Sequence, residues 1–199
     1  MNFTGKCLVL GAVLSVTMSH AQDDPLSFFV STGAAHQSVS FDYSNKNYKF
    51  QGTTSVISGG IRYQFEPHYG FVFGMGNSWG TIDKQTIAKS GTDYDFISKG
   101  ALVTELQPSY FWDYNSRVFA VFGASAYKFS MPGYNKTRIS TKPCYGAGVE
   151  FKISKEFSVI GKGLISELGD HTIPSSGAVS FATQNMKANK LSLELAYTL

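Results

Sequence analysis

The stretch Lys190-Leu191-Ser192-Leu193-Glu194-Leu195-Ala196-Tyr197-Thr198-Leu199 decides the fold. One parity reads Leu191, Leu193, Leu195, Tyr197, Leu199, and the other reads Lys190, Ser192, Glu194, Ala196, Thr198. Alternation of period two marks a strand with two unlike faces, because successive side chains leave the pleat on opposite sides. A strand of a soluble sandwich can alternate in the same way. The weight therefore rests on how often the pattern recurs upstream.

It recurs in seven further stretches, at 26–41, 54–65, 70–80, 99–112, 118–130, 143–153 and 157–168. The third sets Phe71, Phe73, Met75 and Trp79 against Val72, Gly74, Gly76 and Ser78. The sixth sets Tyr145, Ala147, Val149 and Phe151 against Cys144, Gly146, Gly148 and Glu150. Small and polar residues gather on one face, branched and aromatic residues on the other. That division suits a narrow barrel with a crowded interior and an apolar exterior. The connections alternate too. Those at 66–69, 113–117 and 154–156 are short, and those at 42–53, 81–98, 131–142 and 169–189 are long. The reading is an all-β chain, an eight-stranded antiparallel up-and-down transmembrane β-barrel. Long loops lie on the outer side, and tight turns with both termini on the periplasmic side.

Composition agrees. The chain has 199 residues, enough for one domain, with 20 glycines, 16 phenylalanines and 11 tyrosines. Residues 1–21 read as a secretory signal peptide: Lys6 supplies the positive region, Leu8–Leu14 the apolar run, and Ser19-His20-Ala21 the cleavage site. Residues 22–199 then form the barrel domain. Cys7 leaves with the leader, so a single thiol, Cys144, remains and no internal disulfide is expected. The net charge of +3 falls to +2 without Lys6, which is too weak and scattered to suggest nucleic-acid binding. Beyond the leader no run of eighteen apolar residues points to a transmembrane helix. A closed barrel is the other structure that satisfies every backbone group in lipid.

On the alternation, Arg62, Glu105, Glu150, Lys162 and Glu194 fall on the inward parity of five strands, with Lys128 and Glu167 near strand ends. Buried charges must pair or meet water, so a lumen polar network is expected. Such a network packs the interior or lines a narrow conduction path. Eight strands leave an interior barely wide enough for side chains, which favours packing. Tyr63, Trp79, Tyr110, Trp112 and Tyr127 lie near strand ends and are assigned to the two interfacial girdles.

Catalytic signals are missing. His20, His36, His68 and His171 do not cluster, and no metal-ligand spacing or phosphate-cradling glycine loop occurs. Gly123-Ala124-Ser125-Ala126-Tyr127 starts like a nucleophile elbow but lacks its second glycine and sits within a strand. His36 and several strand-end serines leave room for a rim hydrolase, without a motif for one. The chain is read as a non-enzyme with no cofactor and no metal.

Two stretches carry a family likeness. One is Gln107-Pro108-Ser109-Tyr110, a short turn, and then Val118-Phe119-Ala120-Val121-Phe122-Gly123-Ala124-Ser125-Ala126-Tyr127-Lys128-Phe129. The other is Tyr145-Gly146-Ala147-Gly148-Val149-Glu150-Phe151, followed by a tight turn and another amphipathic strand. With the leader and terminal strand, the layout resembles the small outer-membrane barrels of the attachment-invasion and OmpX-like type. The resemblance implies a monomer in contact with outer-membrane lipid and lipopolysaccharide. Its surface loops would serve adhesion, host interaction through a surface protein or glycan, or envelope structure. A proline inside a strand removes a ladder donor, and the family has proline in a setting like that of Pro108. Members usually finish in Phe, the residue favoured by the barrel-assembly machinery. Here the corresponding signal is Tyr197 and a terminal Leu199.

Overall fold

The computed structural model describes residues 25–80, 82, 85–89, 92–113, 116–130, 137–174 and 180–199. Residues 1–21, expected as a leader ending in its cleavage site, lie outside these residues. Nine strands follow in order: β1 Leu26–Tyr43, β2 Lys46–Gln64, β3 Tyr69–Trp79, β4 Gln85–Lys89, β5 Thr92–Asp113, β6 Ser116–Ser130, β7 Thr137–Lys152, β8 Phe157–Pro174 and β9 Ser180–Thr198. All but β4 form the barrel, each antiparallel to its neighbours. β9 returns to β1, and β3 pairs directly with β5 to close the ring. The short β4 pairs only with the outer part of β5, as a hairpin above the ring.

Register fixes the geometry. A lateral row runs Phe28–Ile61–Phe73–Leu106–Phe122–Tyr145–Ile165–Asn189 and re-enters β1 at Ser38, not at Phe28. The eight-stranded ring therefore has a shear of ten residues. With about 3.3 Å per residue and about 4.8 Å between strands, that shear tilts the strands by roughly 40°. At this tilt the ten steps of β3 from Tyr69 to Trp79 rise by roughly 25 Å, the height of the apolar band of an outer-membrane barrel.

The outer face carries that band. Phe73, Met75, Leu106, Phe122, Leu191 and Leu193 are each about half exposed or more, an arrangement that water would penalise and hydrocarbon favours. Aromatic side chains collect where the short turns are: Tyr69 meets Tyr110 edge-on at 5.6 Å, Trp112 meets Phe151 at 5.8 Å, and Phe157 meets Tyr197 at 5.1 Å. Trp79 stands on the outer surface at the other rim.

The hairpins are longer than the alternation alone suggests. Residues 42–53, expected as an open loop, are mostly strand. β1 and β2 stay paired to Tyr43 and Lys46, so the connection is only Ser44 and Asn45. Both have positive φ, at 50° and 60°, the two-residue turn whose twist matches the flanking strands. The polar residues here look like loop because the strands have left the membrane, where an outward apolar face is no longer favoured. The segments 81–98 and 169–189 likewise contain β4 and extensions of β5, β8 and β9. Residues 137–142 open β7, Ile82 is described on its own, and the other parts of 81–98, 131–142 and 169–189 lie outside the described residues.

Candidate functional site

Inside the ring, the inward parity brings together side chains from strands far apart in sequence. Glu150 on β7 is the hub of a lower tier. Its carboxylate accepts from Arg62 Nη2 on β2 at 2.8 Å, from Arg117 Nε on β6 at 2.7 Å and from Ser158 Oγ on β8 at 2.6 Å. The other Arg117 nitrogens donate to Ser109 Oγ at 2.7 Å and Gln107 Oε1 at 2.6 Å on β5. The Arg117 guanidinium also lies over the Phe119 ring, 4.2 Å from its centroid. Arg117 and Glu150 are wholly shielded from solvent, so only pairing and hydrogen bonding of this completeness makes their burial tolerable.

An upper tier uses the other three expected charges. Lys162 Nζ on β8 donates to Glu105 on β5 and lies 3.9 Å from Glu194 on β9. Glu194 accepts from the hydroxyls of Ser31, Ser58 and Ser192. Glycines make the space. A Cβ on Gly148 would collide with the Phe119 ring, and one on Gly74 would press on the Glu105 side chain. Phe29, Val72, Val103, Val121, Ile160 and Leu164 fill the gaps between the charged groups.

Toward the outer mouth the interior turns apolar. Val39, Phe41, Phe50, Tyr127, Phe129, Leu168 and Met186 form one buried cluster, joined by Ile82 from the segment between β3 and β4. Tyr127 is therefore no girdle residue: it is buried in the lumen, stacked on Phe129 with centroids 6.2 Å apart. It shares its face with Ser125 and Phe129, and proximity to a strand end does not override parity. Tyr63, Trp79, Tyr110 and Trp112 do stand on the outer surface. Lys128 and Glu167 also face outward rather than into the lumen, and Glu167 lies 3.8 Å from Lys187 across the β8–β9 pair.

Sequence reasoning missed Arg117 by assigning it to a turn, and it passed over the inward Lys190, Gln107 and Gln37. The signal for Arg117 was present: it continues the parity of Phe119 and Val121, and β6 starts earlier than expected, at Ser116. At the C-terminus, Tyr197 packs outward against Phe157, and the Leu199 N–H donates to the Phe28 carbonyl at 2.8 Å. At the outer rim, Asp42 accepts from Asn47 at 2.8 Å and Asn185 at 3.2 Å, clasping the β1–β2 hairpin to β9. Those two amides hold its carboxyl below the usual range.

An ion-paired lumen, an apolar exterior of membrane height and an aromatic girdle define an integral β-barrel of the bacterial outer membrane. The chain belongs to the outer membrane protein beta-barrel domain family, whose model matches residues 7–198. No curated protein matches it. Among solved structures it is similar to Ail, the attachment invasion locus protein of Yersinia pestis. The identity is 19% over 88% of this chain and 99% of that one, with a TM-score of 0.57. Neisserial surface protein A is similar at 16% identity, covering 85% and 96% of the two chains with a TM-score of 0.56. OprG of Pseudomonas aeruginosa follows at 11%, covering 88% and 97%, with a TM-score of 0.55.

Proposed function

We propose that the chain is a surface-recognition barrel whose outer hairpins carry the binding, while the lumen network holds the barrel's shape. The supporting observation is the packed interior. Fully buried ion pairs cross the lower lumen, and an apolar cluster with Ile82 fills the mouth above them. Such an interior suits a rigid stalk better than a conduit. The strands continue past the Trp79 level as paired hairpins, which puts exposed polar sequence where a partner can reach it.

Ail has been crystallised with the heparin analogue sucrose octasulfate, and by that likeness a host surface glycan or protein is the partner class for these hairpins. Outward Lys49, Lys128 and Lys187, above the apolar band, suit the phosphates of lipopolysaccharide. The alternation ending in Tyr197 and Leu199 suits the barrel-assembly machinery, and the chain acts as a monomer. Segments 81–98 and 169–189 are the main candidates for binding. Replacing both with short turns should abolish binding to host cells while leaving heat-modifiable gel migration intact; unchanged binding overturns the reading. Planar-bilayer recordings should be silent, and a stable ohmic conductance altered by changing Arg62 or Lys162 would establish the channel alternative instead.

A further inference from the structure

Above the upper tier of ion pairs, the lumen holds two polar side chains that the network leaves out. Lys190 on β9 and Gln37 on β1 are cross-strand partners, and both occupy the inward face. Gln37 is fully buried, yet neither its Nε2 nor its Oε1 has a hydrogen-bond partner. Lys190 is 5% exposed and has no carboxylate within 4.0 Å among the described residues.

The three buried carboxylates already face other cations, although Glu105 Oε2 accepts no hydrogen bond. Glu150 serves Arg62 and Arg117, Glu105 serves Lys162, and Glu194 takes three hydroxyls with Lys162 beyond them. Among the described residues, the buried charges are the cations Arg62, Arg117, Lys162 and Lys190 against the carboxylates Glu105, Glu150 and Glu194. These described groups sum to one positive charge in excess, and Lys190 is the one of the four cations without a carboxylate in contact. An uncompensated ammonium in a closed interior is costly, as is a buried carboxamide without partners.

We infer that the upper lumen binds one small monovalent anion, of halide size, between the Lys190 ammonium and the Gln37 amide nitrogen. One anion balances the summed charge and gives the Gln37 amide nitrogen an acceptor. Lys190 has three N–H donors, so it can serve the anion and the Gln37 Oε1 together, while Gln37 Nε2 donates to the anion. A divalent oxyanion is excluded by the single surplus charge. A large organic anion is excluded by the neighbours: Leu164 pairs with Lys190 across β8, and Val39 and Ala188 of the apolar cluster follow Gln37 and Lys190 on the same faces. The ion is a structural counter-charge, locked in between the ion-paired tiers and the apolar mouth.

Crystals of the barrel refolded and grown in sodium bromide, measured at the bromine edge, test this. One anomalous peak is expected inside the ring, beside Lys190 Nζ and Gln37 Nε2, and it should vanish in Lys190→Met. In detergent, exchanging gluconate for bromide at constant ionic strength should raise the wild-type unfolding midpoint, and K190M should lose that rise. A wild-type lumen without a bromide peak overturns the inference, as does a peak or midpoint rise that K190M retains. If K190M does not fold, Gln37→Leu carries the test without removing a charge: loss of the peak supports the site, and persistence overturns it.

Discussion

At the scale of single residues, Glu150 holds the most consequential position. One carboxylate serves two guanidinium groups, Arg117 fully buried and Arg62 3% exposed. Glu150→Gln keeps the shape and removes the charge, leaving Arg62 and Arg117 to repel each other in a closed lumen. Breaking a buried pair in this way costs about 3–5 kcal/mol. The midpoint of urea unfolding in detergent should fall accordingly. An unchanged midpoint would mean that water reaches the arginines. By contrast, the exposed Glu167–Lys187 pair on the outer surface should contribute little, about 0–1 kcal/mol.

At the scale of elements, the β1–β2 hairpin depends on two residues in the left-handed region. Ser44 and Asn45 form its whole connection, and the eighteen-residue β1 stays in register up to it. Asparagine tolerates this conformation, glycine adopts it without strain, and alanine pays about 1 kcal/mol or more. Asn45→Gly should therefore match or exceed the wild type in stability, while Asn45→Ala should fray the hairpin tip. Faster hydrogen exchange of the Tyr43 and Lys46 amides in N45A would show it. Equal exchange in the two variants would show that the clasp of Asp42 to Asn47 and Asn185 holds the tip unaided.

At the scale of the molecule, closure is what confers stability. Every barrel strand has two hydrogen-bonded neighbours, so unfolding cannot start from a free edge of the ring. In detergent the unboiled protein should run ahead of the boiled form on a gel, and the difference should survive reducing agent, because Cys144 is a free, buried thiol. Identical migration before and after boiling would contradict a closed ring.

Much of this architecture was legible in the chain itself. Period-two alternation assigned inside and outside correctly for Arg62, Glu105, Glu150, Lys162 and Glu194, since parity is a local property of the pleat. Where the alternation lost its apolar face, the reading stopped short, and residues 42–53 passed for a loop although they continue two strands. Tyr127, Lys128 and Glu167 went astray for a related reason: near a strand end, residue type is a weaker guide than the side of the strand on which the residue falls. The sequence by itself determined eight strands, their faces and five of the seven buried charges, leaving out Arg117 and Lys190. Only the tertiary structure decided which charges meet. Partnership across a barrel depends on shear, a ten-residue stagger that accumulates over eight pairings and that no single strand encodes. That stagger brings Arg117 to Glu150 and sets Lys190 beside Gln37, away from any carboxylate.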